Sequence, residues 1–336
     1  MNHNYKLENI SLSVYSFGYS AGFLKDTRKT SSKHQKLTPS DIARYAKELG
    51  LGGIELPIDR YFPDPVKDDL DGFFQEMNEI GIKLIFDLEN FTSNYLKSIT
   101  PYIAKYKSKF IRAKISGFYG GNRYKHSNYI EDKKEFYKNL DESLEILQEF
   151  DLKILVENHQ DIVVNDIYDL ISKYGEDRIG VTWDIGNSFP TGETPNSLLE
   201  KIGNHIGNVH LKDYKLFSCP EGYIMSRCEL GKGVIDFQEI FKLLLEYGEI
   251  PMTIELGAFN CRIADINKSE YWDYTPGISI DEKSNFLKYI NSKVLNEAGW
   301  KTPWELGVSP EELAKIEKSE IFNSVIYLSK LFNGNL

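Results

Sequence analysis

The sequence lacks the features of a membrane protein and of a disulfide-stabilised one. It has only three cysteines, none in a CxxC pair, so we expect reduced thiols and no disulfide framework. No run approaches the roughly 18 uncharged apolar residues of a membrane span. The start, MNHNYKLENI, also lacks the basic and apolar regions of a signal peptide. These absences predict a cytoplasmic protein with no membrane contact.

Basic residues are fewer than acidic ones. The 40 Lys and Arg residues are outnumbered by 50 Asp and Glu, which gives a net charge of −10. Because an acidic chain repels phosphate backbones, we expect no nucleic-acid partner. Aromatic residues, in contrast, are abundant, with 21 Tyr and 19 Phe. Most must pack in the interior, but aromatic rings also line sugar-binding clefts.

Short apolar runs alternate with longer amphipathic stretches along the chain. Continuous apolar runs suit strands that are buried on both faces, as parallel strands are. The predicted strands are 11–17, 53–56, 83–88, 110–115, 153–156, 180–183, 207–211 and 252–256. The predicted helices are 39–49, 67–80, 93–107, 130–149, 163–174, 196–205, 236–247 and 318–332.

Eight strands in strict alternation with eight helices predict an α/β protein with a (β/α)8 TIM barrel, as one domain over residues 1–336. An open doubly wound sheet is the alternative. Such sheets usually carry a Gly-rich phosphate turn after the first strand, and residues 16–20 (SFGYS) do not form one. The closed barrel is therefore the favoured architecture.

One segment breaks the alternation. A long insertion of about 261–317 separates strand 8 from helix 8 and carries Trp272, Trp300 and Trp304. Its position in a barrel predicts that it lies on the catalytic face. A lid, a substrate wall, a partner surface and structural padding all remain open for it.

Each of the last four predicted strands runs into a potential metal ligand: Glu157, Asp184, His210 and Glu255. Side chains at the carboxyl ends of barrel strands converge on one mouth. Carboxylates gathered in a pocket are costly unless a cation neutralises them. Three carboxylates and one imidazole predict one divalent metal ion, Mn2+ first, with Mg2+, Co2+, Fe2+ and Zn2+ as alternatives.

The motifs around these residues resemble the xylose-isomerase-like sugar phosphate isomerase/epimerase superfamily over nearly the whole chain except the insertion. The matching pieces are GIE (53–55), VENH (156–159), WDIGN (183–187), VHLKD (209–213), GKGVIDF (231–237) and IE (254–255). The resemblance implies a TIM barrel, a carbohydrate substrate and one metal ion on the four predicted ligands. In the family's epimerases, the two metal-bound glutamates also pass the substrate proton.

The predicted catalytic residues are therefore Glu157, Glu255 and His159. If the chain stays extended after strand 5, His159 points to the same side as Glu157. A histidine there can serve as a general base near neutral pH, because its ordinary pKa lies close to 7. A purely structural histidine is the equal alternative.

Further residues are predicted to bind substrate. The resemblance places Arg227 in contact with the substrate, while an exposed loop arginine is the alternative. Glu55 and Arg112 lie on strands 2 and 4 and are predicted to bind sugar hydroxyls, although Arg112 can equally face outward. Asn187 is also predicted to bind substrate, and Asp213 is predicted to orient His210.

Asn187 departs from the family pattern. Ketose 3-epimerases and the DNA-repair endonucleases of this superfamily usually have a histidine three residues after the strand-6 aspartate. The endonucleases need several further histidines as well, and the sequence has only His3, His34, His126, His159, His205 and His210. This argues against a nuclease and makes a plain ketose 3-epimerase less favoured.

The leading functional hypothesis is a lyase that removes the proton next to a sugar carbonyl. It would be the catalytic subunit of a C-glycoside deglycosidase, which cleaves 3-oxo-glycosides by enolate formation and elimination and works with a small second subunit. A sugar isomerase/epimerase or a keto-inositol dehydratase is the alternative. A non-catalytic sugar-binding barrel is disfavoured because all four metal-ligand positions are filled. An oligomer is expected.

Overall fold

The computed structural model describes residues 5–24, 36–126, 128–273, 275, 277–296 and 298–334. His3 and His34 lie outside these residues. The strands are β1 Ile10–Ser13, β2 Gly53–Pro57, β3 Lys83–Leu88, β4 Phe110–Ala113, β5 Lys153–Glu157, β6 Ile179–Asp184, β7 Ile206–Leu211, β8 Asp213–Cys219, β9 Gly222–Cys228, β10 Met252–Ile254 and β11 Arg262–Ala264.

Eight of these strands close into a parallel barrel in the order β1-β10-β7-β6-β5-β4-β3-β2. Nearly every barrel residue is buried, as expected for strands covered by helices outside and by side chains inside. The predicted (β/α)8 barrel is therefore confirmed. β10 serves as the eighth barrel strand, because β8 and β9 belong to a separate sheet.

The helices pack around the barrel through apolar faces. Their bounds are α1 Pro39–Glu48, α2 Ile58–Tyr61, α3 Leu70–Ile80, α4 Ser93–Lys105, α5 Tyr129–Asp141, α6 Leu144–Glu149, α7 Val164–Tyr174, α8 Pro195–Ile202, α9 Phe237–Leu244, α10 Ser269–Asp273, α11 Ile280–Lys293 and α12 Pro310–Phe332. Within the described ranges, none of them combines the length and the apolar character that a membrane crossing requires.

Several elements differ from their predicted bounds. The predicted helix 130–149 is divided into α5 and α6, and the largest shifts are in β1 and in the last helix. β1 ends at Ser13, whose hydroxyl accepts a hydrogen bond from the Tyr15 amide, and the chain then turns into a 3-10 helix. The last helix begins at Pro310, eight residues earlier than predicted. Ser309 caps it by accepting from the Glu312 amide, and proline suits its first turn because it has no amide hydrogen to satisfy.

A small antiparallel sheet stands beside the barrel mouth. β8 and β9 form a hairpin directly after β7, and β11 pairs with β9, where Arg262 lies opposite Met225. β11 opens the predicted insertion, which continues through α10 and α11. The pairing ties the start of the insertion to the loop after barrel strand β7.

Candidate metal centre

The four predicted metal ligands converge at the carboxyl end of the barrel. Glu157 and Asp184 end β5 and β6, His210 lies on β7, and Glu255 directly follows β10. The parallel register places Asp184 beside His210. One ligand atom from each of the four residues lies within 4.8 Å of the others, and all four residues are buried. This spacing is compatible with a single shared cation.

The His210 ring supports the same interpretation. Its Nε2 lies 2.9 Å from Oε1 of Glu55, which makes Nε2–H the donor and leaves the lone pair on Nδ1. Nδ1 is buried without a hydrogen-bond partner among the described residues, and it faces Glu255 Oε2 at 3.2 Å and Glu157 Oε1 at 3.8 Å. A buried nitrogen surrounded by carboxylates fits a divalent cation as their shared partner, once the ring has lost the proton on that nitrogen.

Glu55 lies below the site rather than at its surface. Its carboxylate is fully buried, bonds His210 and accepts from Asn208 Nδ2 at 3.1 Å. The prediction that Glu55 binds sugar hydroxyls is therefore wrong, because a substrate in the cavity cannot reach it. Glu55 instead has the orienting role that the sequence suggested for Asp213.

The electrostatics of the ligand set depend on burial and on two buried cations. Burial raises the pKa of Asp184 to about 6. Burial also acts to raise the pKa of Glu157, but the Arg112 guanidinium outweighs it and lowers that pKa to about 2. For His210, burial acts to lower the pKa, yet Glu55 and Glu255 raise it to about 9. At neutral pH, His210 is therefore protonated until a metal competes for its nitrogen.

Metal binding should release a proton at pH 7. Because His210 must lose its proton to coordinate, affinity should rise by about tenfold per pH unit up to pH 9. Titration calorimetry of chelator-treated protein with Mn2+, in buffers of different ionisation enthalpy, should give about one proton released per ion bound at pH 7. A heat that does not depend on the buffer would contradict the assignment of His210 as a ligand.

Substitution Glu55→Gln should weaken the metal centre without removing a ligand. Residues that orient metal-bound histidines typically contribute about 10- to 100-fold in metal affinity. We expect a loss in that range, measured by competition with a chromophoric chelator. Glu193→Gln is the matched control, since Glu193 is also buried but pairs with Lys201 outside the centre. Equal affinity in both variants would refute the orienting role.

Two buried cations contact the ligands. Arg112 points into the barrel, where it donates to Glu157 and lies 2.7 Å from Asp87, so its outward-facing alternative is wrong. Lys212 Nζ donates to Asp184 and to Glu255 Oε1, the latter at 2.9 Å. The sequence indicated no role for Lys212. The signal was its spacing, because it lies two residues after His210 along extended chain.

A cavity of about 300 Å3 opens above the centre. Arg112, His159, Lys212 and Glu255 line its floor, and its aromatic lining is formed by Tyr15, Phe23, Tyr119 and Tyr214. A volume of this size and this mixed lining suit a small polar ligand with an apolar face. The predicted catalytic pair His159 and Glu255 therefore shares one cavity, while Glu157 lies fully buried beneath it.

His159 is held by a neighbouring carboxylate. Its Nδ1 lies 3.2 Å from Oδ1 of Asp161, and the edge of its ring meets Tyr119 at 5.1 Å between centroids. With Nδ1–H bonded to Asp161, Nε2 is the nitrogen left with a lone pair. The sequence did not single out Asp161, although its spacing of two residues from His159 was visible.

Asn187 and Arg227 do not line the cavity. Asn187 Nδ2 donates to Glu157 Oε1 at 3.2 Å, so this residue supports a predicted metal ligand. Arg227 is buried, with its guanidinium 4.4 Å above the Phe259 ring, and it donates to Glu320. The structure therefore places neither residue where it was predicted to contact substrate.

Asp213 holds the glycine turn rather than His210. Its carboxylate accepts from the backbone amides of Gly231 at 3.1 Å and Gly233 at 2.9 Å. A Cβ on Gly233 would collide with the same carboxylate, so glycine is required there. The prediction that Asp213 orients His210 is therefore wrong.

Trp272 of the insertion packs within the insertion itself. Trp272 donates from Nε1 to the Ile266 carbonyl at 2.8 Å and packs against Phe286. None of the three insertion tryptophans is among the residues that line the described cavity, whereas Arg262 of the insertion is. The insertion thus contributes a cation to the cavity.

The closed barrel and the buried ligand quartet define a (β/α)8 protein with a candidate metal centre. The family model described as "Xylose isomerase-like TIM barrel" matches residues 43–274. The chain belongs to that family, which confirms the resemblance seen in its motifs.

The curated relatives match only a part of the chain. The inosose dehydratase of Clostridium beijerinckii is 32% identical over 112 residues, which span 28% of this chain and 37% of that enzyme. The chain spans about a third of the length of the curated relatives it matches.

Solved structures share the fold, two of them over most of their length. The IolI protein, crystallised with a zinc atom, has a TM-score of 0.51 and 16% identity, covering 86% of this chain and 99% of that one. A xylose isomerase domain protein from Planctomyces limnophilus has a TM-score of 0.50 and 14% identity, covering 85% and 97%.

Proposed function

We propose that the protein is a divalent-metal-dependent lyase. It removes the proton next to the carbonyl of an oxidised sugar, and the resulting enolate expels a leaving group from the neighbouring carbon. The observation that carries this proposal is the pairing of His159 with Asp161 in the cavity that also exposes Glu255. A base and a metal ligand are thereby presented to one substrate.

The donor set fits a metal ion on the geometry given above. Glu157, Asp184, His210 and Glu255 would hold it, and a bound divalent cation polarises a carbonyl and acidifies the neighbouring C–H. The zinc in the related IolI structure supports a centre of this kind. Because three of the four donors are oxygen, we propose Mn2+ as the resident ion, with zinc as the next candidate.

His159 is the proposed general base. Its Nε2 takes the substrate proton, and Asp161 stabilises the imidazolium that forms, since the carboxylate already accepts from Nδ1. Tyr214 is the proposed donor to the leaving group. Its hydroxyl accepts from Gln160 at 3.1 Å, and burial raises the pKa of Tyr214 to about 12, so the phenol stays protonated.

Elimination is favoured over epimerisation. Epimerisation needs a second proton-transfer group on the opposite face of the substrate, and the family's epimerases use their two metal-bound glutamates. Here Glu157 is buried against Arg112. Glu255 lies against Lys212, and its pKa is lowered because Lys212 and other cations outweigh the effect of burial. Both are therefore weak bases, which leaves His159 as the effective one.

Two leaving groups fit this chemistry. The first is the aglycone of a 3-oxo-glycoside, as in the catalytic subunit of a C-glycoside deglycosidase, and the aromatic rings of Tyr15, Phe23 and Tyr119 suit such a group. The second is water from a keto-inositol, which the 32% identity to an inosose dehydratase supports. A small second subunit is proposed as the partner in the first case.

Deuterium exchange tests the proposal. The Mn2+-loaded protein is incubated in D2O with C- and O-linked 3-oxo-glycosides, a keto-inositol and free ketoses, with and without candidate small subunits. Mass spectrometry then identifies the labelled products, and chelator-treated protein serves as the control. We expect label at the carbon next to the carbonyl, together with release of aglycone or water. Epimerised ketoses without any elimination would replace the lyase by an epimerase, and no exchange at all would leave a sugar-binding barrel.

A further inference from the structure

The cavity wall contains more basic side chains than its carboxylates pair with. Five basic residues line it, namely Arg60, Arg112, Lys114, Lys212 and Arg262. Three of these have carboxylate partners: Arg112 and Lys212 pair with the metal-centre acids, and Arg60 pairs with Glu89 at 3.3 Å. Lys114 and Arg262 remain.

Both remaining cations are directed to the cavity by the fold. Lys114 follows β4 and lies two residues after Arg112, so it shares the inward side of the extended chain. Lys114 acts electrostatically on Asp87, but that carboxylate already pairs with Arg112 and accepts from Tyr15. Arg262 is placed by the pairing of β11 with β9.

Arg262 is held in position by contacts that do not neutralise its positive charge. Its guanidinium lies 4.0 Å over the Tyr119 ring, and one nitrogen donates to the carbonyls of Asn260 and Cys261 at 3.3 and 3.4 Å. In the described part of the chain, no carboxylate lies within ion-pair distance of Arg262 or Lys114. A stacked guanidinium keeps its remaining N–H groups directed sideways, a geometry that suits the two oxygens of an anion.

We infer that the substrate carries a negatively charged group, a carboxylate or a phosphate, which Arg262 and Lys114 bind. In a chain of net charge −10, carboxylates are plentiful, yet none of the described ones lies within ion-pair distance of these two cations. Their charge is therefore available to a ligand. The inference rests on the proposed function because it concerns the same cavity, and it narrows the substrate to acidic or phosphorylated oxidised sugars.

Tyr119 places the anionic group relative to the chemistry. The same ring that supports Arg262 also meets His159, at 5.1 Å between centroids. The charged group of the substrate therefore binds about one aromatic ring away from the proposed base. This separation places the anion on the reacting sugar or on the first atoms of the leaving group.

Binding of simple probes tests the inference. Titration calorimetry with the Mn2+-loaded full chain compares glucuronate, glucose 6-phosphate and glucose. We expect at least one anionic sugar to bind about tenfold more tightly than glucose or better, and the tighter of the two identifies the carboxylate or the phosphate as the preferred group. Equal binding of all three would overturn the inference.

Variants separate these cations from the metal as the source of any preference. Arg262→Gln and Lys114→Gln, singly and together, should reduce the preference to within about threefold of glucose while metal content and melting temperature stay unchanged. Lys215→Gln is the matched control, because Lys215 is exposed on β8 of the same small sheet. A preference that survives in the double variant would show that the metal alone binds the anion, and the inference would fail.

The two proposals fail differently. If a neutral 3-oxo-glycoside exchanges its proton at full rate and no anionic preference exists, only the charge inference falls. If the preference is present but no substrate exchanges deuterium, the lyase proposal is refuted while the anion site is supported.

Discussion

Replacement of His159 by Asn is expected to slow proton exchange between substrate and solvent by about 100- to 10,000-fold, the usual contribution of a general base. The metal content should not change, because His159 is not one of the four converging ligands. Exchange is measured in D2O by mass spectrometry at saturating substrate, with metal analysis of the same sample. The expected result is a full metal centre without proton transfer.

His205→Asn is the control for this variant, since His205 lies at the amino end of β7 beside Glu176 and not in the cavity. Asp161→Asn adds a graded test. It should lower kcat while leaving KM unchanged, because Asp161 acts by positioning His159 and would not touch the substrate. If His159→Asn exchanges at the full rate, the base lies elsewhere, and Glu255 is the next candidate in the cavity.

The barrel could be predicted because its information is local. Each barrel strand is a short apolar run and each helix has an apolar stripe, and strict alternation of the two leaves few topologies. The bounds were less accurate where tertiary contacts decide them. β1 stops at Ser13 because a side-chain hydrogen bond turns the chain there, and α12 gains two turns because Ser309 and Pro310 form a start signal beyond the predicted one.

The small sheet could not be predicted in the same way. The hairpin of β8 and β9 has a visible turn in PEG (220–222), but β11 is only three residues long and pairs with residues almost 40 positions earlier. Such a pairing depends on the folded barrel and leaves no local pattern. Arg262 could therefore not be placed in the cavity from the sequence.

The depth of each inward side chain along the barrel axis could not be predicted from the sequence either. Glu55 was predicted to bind substrate because it lies on a strand with the right alternation, yet its side chain is one layer below the ligands and bonds His210. Alternation tells which side chains point inward, but it does not tell how far along the barrel axis each one lies. The four metal ligands were easier to predict, because ionisable residues at the ends of four strands lie at the same depth along the barrel axis.

Removal of a carboxylate charge from the quartet should weaken metal binding severely and reduce turnover with it. Glu157→Gln and Glu255→Gln each keep the shape of the side chain but remove one anionic donor. We expect metal affinity to fall by more than the roughly 10- to 100-fold typical of a residue that only supports a ligand. Glu157→Gln should also lower stability, because Arg112 loses one of its buried partners, but by less than the about 3–5 kcal/mol of an unpaired buried charge, since Asp87 remains.

Excess metal should distinguish the Glu157→Gln variant from the Glu255→Gln variant. Glu255 borders the cavity and also accepts from Ser13 at 3.3 Å, so Glu255→Gln should regain part of its metal at high Mn2+ concentration. Metal content by mass spectrometry and exchange in D2O are measured side by side, with Glu193→Gln as the buried control. If both variants retain normal metal and full exchange, the quartet does not hold the catalytic ion. If metal and exchange fall together here while His159→Asn loses exchange alone, cation binding and proton transfer belong to different residues of one cavity.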